Sequence, residues 1–147
     1  VILEQPTIER IGDVINAMAP EDRARLGDDA FTLVYSTVAK SWNPWCGVGH
    51  GGPFCVGGVV VSPSGIGAPW MIATPGVARN RKFFLRASRA GVAAMQARFP
   101  VLRNVVDVRY DKSIRWLTWL GFRVSSPFPM AFGGHEIMVS PFEWRRP

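Results

Sequence analysis

The stretch Val106-Asp107-Val108-Arg109-Tyr110-Asp111-Lys112-Ser113-Ile114-Arg115-Trp116-Leu117-Thr118-Trp119-Leu120-Gly121-Phe122 decides the reading of this chain. Its first residues alternate as the end of a strand over Asn104 to Tyr110. Ser113 to Leu120 then carries apolar residues at helical spacing, with Asp111 as the expected cap. Ile114, Leu117 and Leu120 share one face. Gly121 can take the left-handed conformation that ends a helix, and Phe122 is placed to close the core beneath it.

Working back from this stretch, Arg81 to Phe99 predicts a long helix, since Leu85, Ser88, Val92, Met95 and Phe99 recur at steps of three and four before Pro100. Lys82, Arg86 and Arg89 fall on its outer side. Pro69 to Thr74 reads as a short buried strand ended by Pro75-Gly76, after the turn cluster Ser62 to Gly65. Trp42 to Val61 reads as two strands around Gly51-Gly52-Pro53. Nearer the amino end, Val1 to Glu4 predicts a strand. Thr7 caps a helix whose buried face is Ile8, Ile11, Ile15 and Met18; Pro20 opens a second helix, and Phe31 to Lys40 is a third. Beyond Phe122, strands are expected around Arg123 to Phe128 and His135 to Ser140, joined by Gly133-Gly134. Such alternation predicts an α/β fold, a mixed central sheet with helices on both faces, forming a single domain over residues 1–147.

Composition narrows the class. Hydrophobic residues make up 48% and charged residues 19% of the 147, as in packed globular proteins. The net charge of +6 favours an anionic partner, whether a phosphate-bearing cofactor, a nucleic acid or an acidic protein face. Ser41 to Ala78 has no charged residue, but Gly and Pro interrupt it too often for a spanning helix, so no membrane partner is expected. The amino-terminal residues lack the pattern of a secretory signal. Cys46, His50 and Cys55 supply three zinc-type ligands without a fourth, so buried free thiols are expected and no metal. A hairpin centred near His50-Gly51 would set the two cysteines opposite each other.

The order of elements and the segment Val106 to Phe122, with its helix ending in Leu120-Gly121-Phe122, resembles the GNAT superfamily of N-acetyltransferases. Gly67-Ala68-Pro69-Trp70-Met71-Ile72-Ala73-Thr74, Phe84-Leu85-Arg86-Ala87-Ser88-Arg89 and Ser113-Ile114-Arg115-Trp116-Leu117 further resemble short GNAT-like proteins of tailed bacteriophages, of the acetyltransferase or internal virion type. The resemblance implies acetyl-CoA as cofactor and an amine, on a protein or otherwise, as acyl acceptor. It implies a site in the host cell cytoplasm or in the virion. In such enzymes backbone N–H groups of the fourth strand, here Ile72, Ala73 and Thr74, meet the thioester oxygen. The next loop would hold the pyrophosphate, and Gly76 to Phe84 lacks that loop's glycines, leaving Arg79, Asn80, Arg81 and Lys82 as the cofactor-binding candidates. Asp107, beside the cleft such folds open, is the candidate base. Leu117 stands where many GNAT enzymes have a tyrosine that protonates the leaving thiolate.

Two other functions follow from the same residues. A non-catalytic virion component would use partner contacts such as an exposed Phe142 and Trp144. A nucleic-acid-binding protein would use the basic segment 79–89.

Overall fold

The computed structural model describes residues 2–132 and 134–147. Its described elements are β1 (Ile2–Glu4), α1 (Ile8–Ala17), α2 (Pro20–Arg25), α3 (Ala30–Ala39), β2 (Ser41–Gly49), β3 (Gly52–Val61), β4 (Gly67–Ala73), a 3-10 helix (Pro75–Asn80), α4 (Arg81–Arg98), β5 (Val101–Asp107), α5 (Asp111–Trp119), β6 (Arg123–Val124), β7 (Phe128–Phe132) and β8 (His135–Arg145). The strands run in the order β1-β2-β3-β4-β5-β8-β6, with β7 also on β8. β4 and β5 pair in parallel, at Gly67 and Leu102, while β1-β2, β2-β3 and the pairs made by β8 are antiparallel, so the sheet is mixed as expected. Contacts group the residues into two compact units, Val1–Val60 with Pro69–Ala87 and Val61–Ala68 with Ser88–Pro147.

In the first unit the core lies between α1, α3 and one face of β2 to β4. Ile11, Ile15, Ala30 and Val34 pack with Trp70 and Ile72, and Val14 packs with Cys46 and Val56. Thr7 caps α1 as expected, its hydroxyl accepting from Arg10 N–H at 3.2 Å. The face of α1 differs by one position: Ile8 is 56% exposed and Val14 is fully buried, because the helix turns its Ile11-Val14-Ile15 side to the sheet. Trp70 is fixed in place by its indole N–H, which donates to Ser41 Oγ at 2.8 Å.

The β2–β3 hairpin turns at His50-Gly51, but a bulge between Gly47 and Val48 shifts the register. Cys46 therefore pairs with Val56 and Cys55 with Gly47, so the cysteines are one step out of register rather than opposite. Both are free and buried. Burial pushes the Cys46 thiol up to about 11 and the Cys55 thiol up to about 12. Raised thiol values contribute stability that is complete below about pH 8.5 and is lost as pH climbs through 11 and 12. Thermal melts across that range should show the loss, and Cys55→Ala should make it smaller.

In the second unit β8 pairs with β5 over Val139 to Arg145, with β6 at Phe142 and Glu143, and with β7 over His135 to Val139. The segment after α5 thus holds three strands rather than two. Only Arg123 and Val124 of the expected Arg123–Phe128 strand pair there, and Phe128 begins the next strand. Gly133, placed in the joining turn, lies outside the described residues. Gly121 ends α5 with φ +100°, and Phe122 meets Phe142 edge-on at 5.2 Å. Phe142 is therefore core, 5% exposed, not the surface contact expected of it. Among the described residues no helix is long and apolar enough to cross a membrane.

Candidate functional site

The residues following β4 are tied down by several hydrogen bonds. Thr74, buried, ends the strand by donating its N–H to Phe54 O at 2.9 Å. Its hydroxyl then accepts from Gly76 N–H at 3.0 Å, and its carbonyl from Val77 N–H at 3.2 Å. Thr-Pro at a cap and first helical position is a helix start, which is why Pro75-Gly76 opens a 3-10 helix instead of a simple turn. Asn80, 4% exposed, closes it from inside: its Nδ2 donates to Gly76 O at 2.9 Å, while Oδ1 is buried without a hydrogen-bond partner. The carboxamide fills the space a side chain at Gly49 would need.

Asn80 thus faces inward, whereas Arg79, Arg81 and Lys82 face solvent. Arg79 Nη2 lies 3.6 Å from where a Cβ on either Gly51 or Gly76 would stand, so its guanidinium spans the β2–β3 turn and the start of the 3-10 helix. Sequence reading placed the four residues 79 to 82 together but missed Gly49 and Gly51, whose role depends on a contact across some thirty positions of chain.

Charge along this helical run is one-sided. From Pro75 to Arg98 there is no acidic residue, and Arg79, Arg81, Lys82, Arg86 and Arg89 crowd its first fifteen positions. Arg79 with Lys82, Lys82 with Arg86, and Arg86 with Arg89 stand three or four apart, where like charges repel. Cations toward the positive end of a helix dipole add to the cost. An anion held by Arg79, Arg81 and Lys82 would relieve both. The backbone has little left to offer such a ligand, because a 3-10 helix uses its N–H groups on carbonyls three residues back.

In the second unit, Asp107 is 9% exposed at the end of β5. Its Oδ1 accepts from Arg109 N–H at 3.0 Å, Arg109 Nε lies 3.5 Å away, and its carbonyl accepts from Tyr110 N–H at 3.1 Å. This side chain therefore shapes the turn into α5. The cap position itself is Tyr110, with no side-chain cap bond, and Asp111 is the first helical residue rather than the expected cap. Leu117 is 6% exposed, and Trp116 beside it donates from Nε1 to Ser88 Oγ at 3.2 Å. Among the described residues no three His, Cys, Asp or Glu side chains gather to hold an ion, so Cys46, His50 and Cys55 are not brought together.

No family model and no curated protein matches the sequence. Solved structures do match it over nearly its whole length. An acetyltransferase of the GNAT family from Streptococcus pneumoniae aligns with TM-score 0.62 and 12% identity, covering 99% of each chain. The fold is the GNAT fold. An aminoglycoside N(6')-acetyltransferase from Legionella pneumophila aligns with TM-score 0.69 at 9% identity over 98% of this chain and 91% of its own. A Bacillus subtilis acetyltransferase in complex with CoA aligns with TM-score 0.67 at 9% identity, over 99% and 97%. At such identities the GNAT likeness establishes architecture, and chemistry must be argued from the residues above.

Proposed function

We propose that this GNAT-fold chain is an acyl-CoA-dependent N-acyltransferase that transfers an acyl group to an amine by direct attack in a ternary complex. The observation that carries the proposal is the acid-free helical run from Pro75 to Arg98, with Arg79, Arg81 and Lys82 in its first turns. Those three side chains would hold the CoA pyrophosphate by charge-assisted hydrogen bonds. The cofactor supplies the activated acyl group. N–H directions alternate along a strand, and that of Thr74 is already given to Phe54, so Ala73 directs its N–H to the other edge of β4. Ala73 is therefore the proposed donor to the thioester oxygen, with Ile72 anchored in the core beside it. Asp107 is the proposed base for the incoming ammonium; the CoA thiolate would leave as the C–S bond breaks and take its proton from water, since Leu117 has none to give. The proposed setting, taken from the likeness to phage proteins, is the cytoplasm of an infected host.

Acetyl-CoA at millimolar concentration should raise the melting temperature, since a ligand selective for the native state stabilises it. No shift would count against the enzyme. The Asp107 role separates from its structural one by two substitutions. Asp107→Asn keeps an oxygen for Arg109 N–H, so stability should hold while acyl transfer falls by a hundredfold or more. Asp107→Ala should in addition lose about 1 kcal/mol of stability by denaturant titration. Equal activity of Asp107→Asn and the parent would remove the base assignment.

Leu117 favours a second reading. A buried leucine in place of a proton-donating tyrosine suits a non-catalytic component of a phage virion. That reading predicts neither an acetyl-CoA shift nor acyl transfer to any amine.

A further inference from the structure

The second unit carries a surface that the acyltransferase reading does not use. Residues paired across antiparallel strands point to the same face. Arg103 of β5 and Arg123 of β6 both pair with Glu143 of β8, and Arg145, two residues on, is ion-paired to Glu143. One row of the sheet therefore sets three exposed arginines around a single carboxylate. By the same register Phe128, Met130 and Phe132 of β7 pair with Val139, Ile137 and His135, on the face that holds Glu143. Phe128 is 41% and Phe132 40% exposed, although both lie within a regular strand. Val139 and Asp107 are buried further in, but the edge from Arg123 through residues 125–127 to Phe132 is exposed apart from Val124 and Met130. At about 3.4 Å per residue that edge is about 30 Å long.

We infer that this edge binds single-stranded nucleic acid, Phe128 and Phe132 stacking on bases while Arg103, Arg123 and Arg145 hold phosphates. An exposed strand edge with separated aromatics suits unstacked bases; a duplex buries its base faces. Phe128 and Phe132 stand about 14 Å apart along the strand, two platforms rather than the one wedge a membrane surface would take up. The surplus of guanidinium over carboxylate supplies the matching charge. This surface shares no residue with the basic segment 79–89, and the inference does not depend on the acyltransferase activity.

The test is fluorescence anisotropy of a labelled single-stranded oligonucleotide of about ten nucleotides, titrated with the full chain at several salt concentrations. Binding should weaken with salt, with a log–log slope of about −2 for three phosphate contacts. Phe128→Ala and Phe132→Ala should each weaken it about tenfold with melting temperature unchanged, and Arg103→Ala or Arg123→Ala should make the slope shallower. The Arg86→Ala, Arg89→Ala pair should bind as the parent does. The inference is overturned if the oligonucleotide does not bind, if only the Arg86, Arg89 pair loses binding, or if phosphatidylserine vesicles bind while the oligonucleotide does not.

Discussion

Changing Arg79 and Arg81 together to alanine is expected to weaken CoA binding on the order of a hundredfold, each guanidinium supplying roughly a factor of ten through a charge-assisted bond to phosphate. The companion expectation has the opposite sign. Without ligand the same variant should melt slightly higher than the parent, because two like charges leave the first turns of a helical run that has no acidic residue. Destabilising charges kept at one place are the mark of a site shaped by its ligand rather than by folding. Calorimetric titration with CoA and a ligand-free melt measure the two effects on one sample. Unchanged affinity would place the phosphates elsewhere, and a lower ligand-free melting temperature would mean that these side chains serve the fold.

Gly57→Ala is expected to cost about 3 kcal/mol, at the upper end for overpacking a filled interior. A methyl group there would overlap the indole of Trp45 and come within 2.8 Å of the backbone oxygen of Trp70. Neither neighbour can move freely: Trp70 is bonded to Ser41, and Trp45 sits in the register pair with Gly57 itself. For a chain of this length the loss amounts to a fall in melting temperature of roughly 10 °C. Gly49→Ala should be milder, since its obstacle is the Asn80 carboxamide, a side chain that can rotate at the expense of its bond to Gly76. Gly65→Ala has open space around it but a φ of +86°, so its cost is conformational alone, about 1 kcal/mol.

These glycines mark the limit of what the sequence disclosed. Elements with a local signature were legible: the Thr7 cap, Pro20, the period of α4 and the Leu120-Gly121-Phe122 ending are each determined by neighbours within a turn or two. Features set by partners far along the chain were not. The bulge that displaces Cys46 from Cys55 depends on how β2 meets β3, and nothing around either cysteine announces it. Phe142 reads as one more aromatic near the carboxyl end until Phe122 is found against it. Ile8 reads as core by spacing and is exposed, because periodicity sets the helix face only to within about one residue. At the site, Arg79, Arg81 and Lys82 were legible as charge, and the locking role of Asn80 was not, since it requires both Gly76 and Gly49 to be in place.

Strand β8 joins β5, β6 and β7, and it follows all three in the chain. During synthesis the backbone edges of those three strands must wait for residues 135–145 before they are paired. Unpaired edges are templates for other chains, and β7, with Phe128 and Phe132, is the most adhesive of them. Yield in expression should therefore depend on how quickly that last strand is delivered, so slow codons placed after Phe132 would favour aggregates from a sequence whose finished form is unchanged.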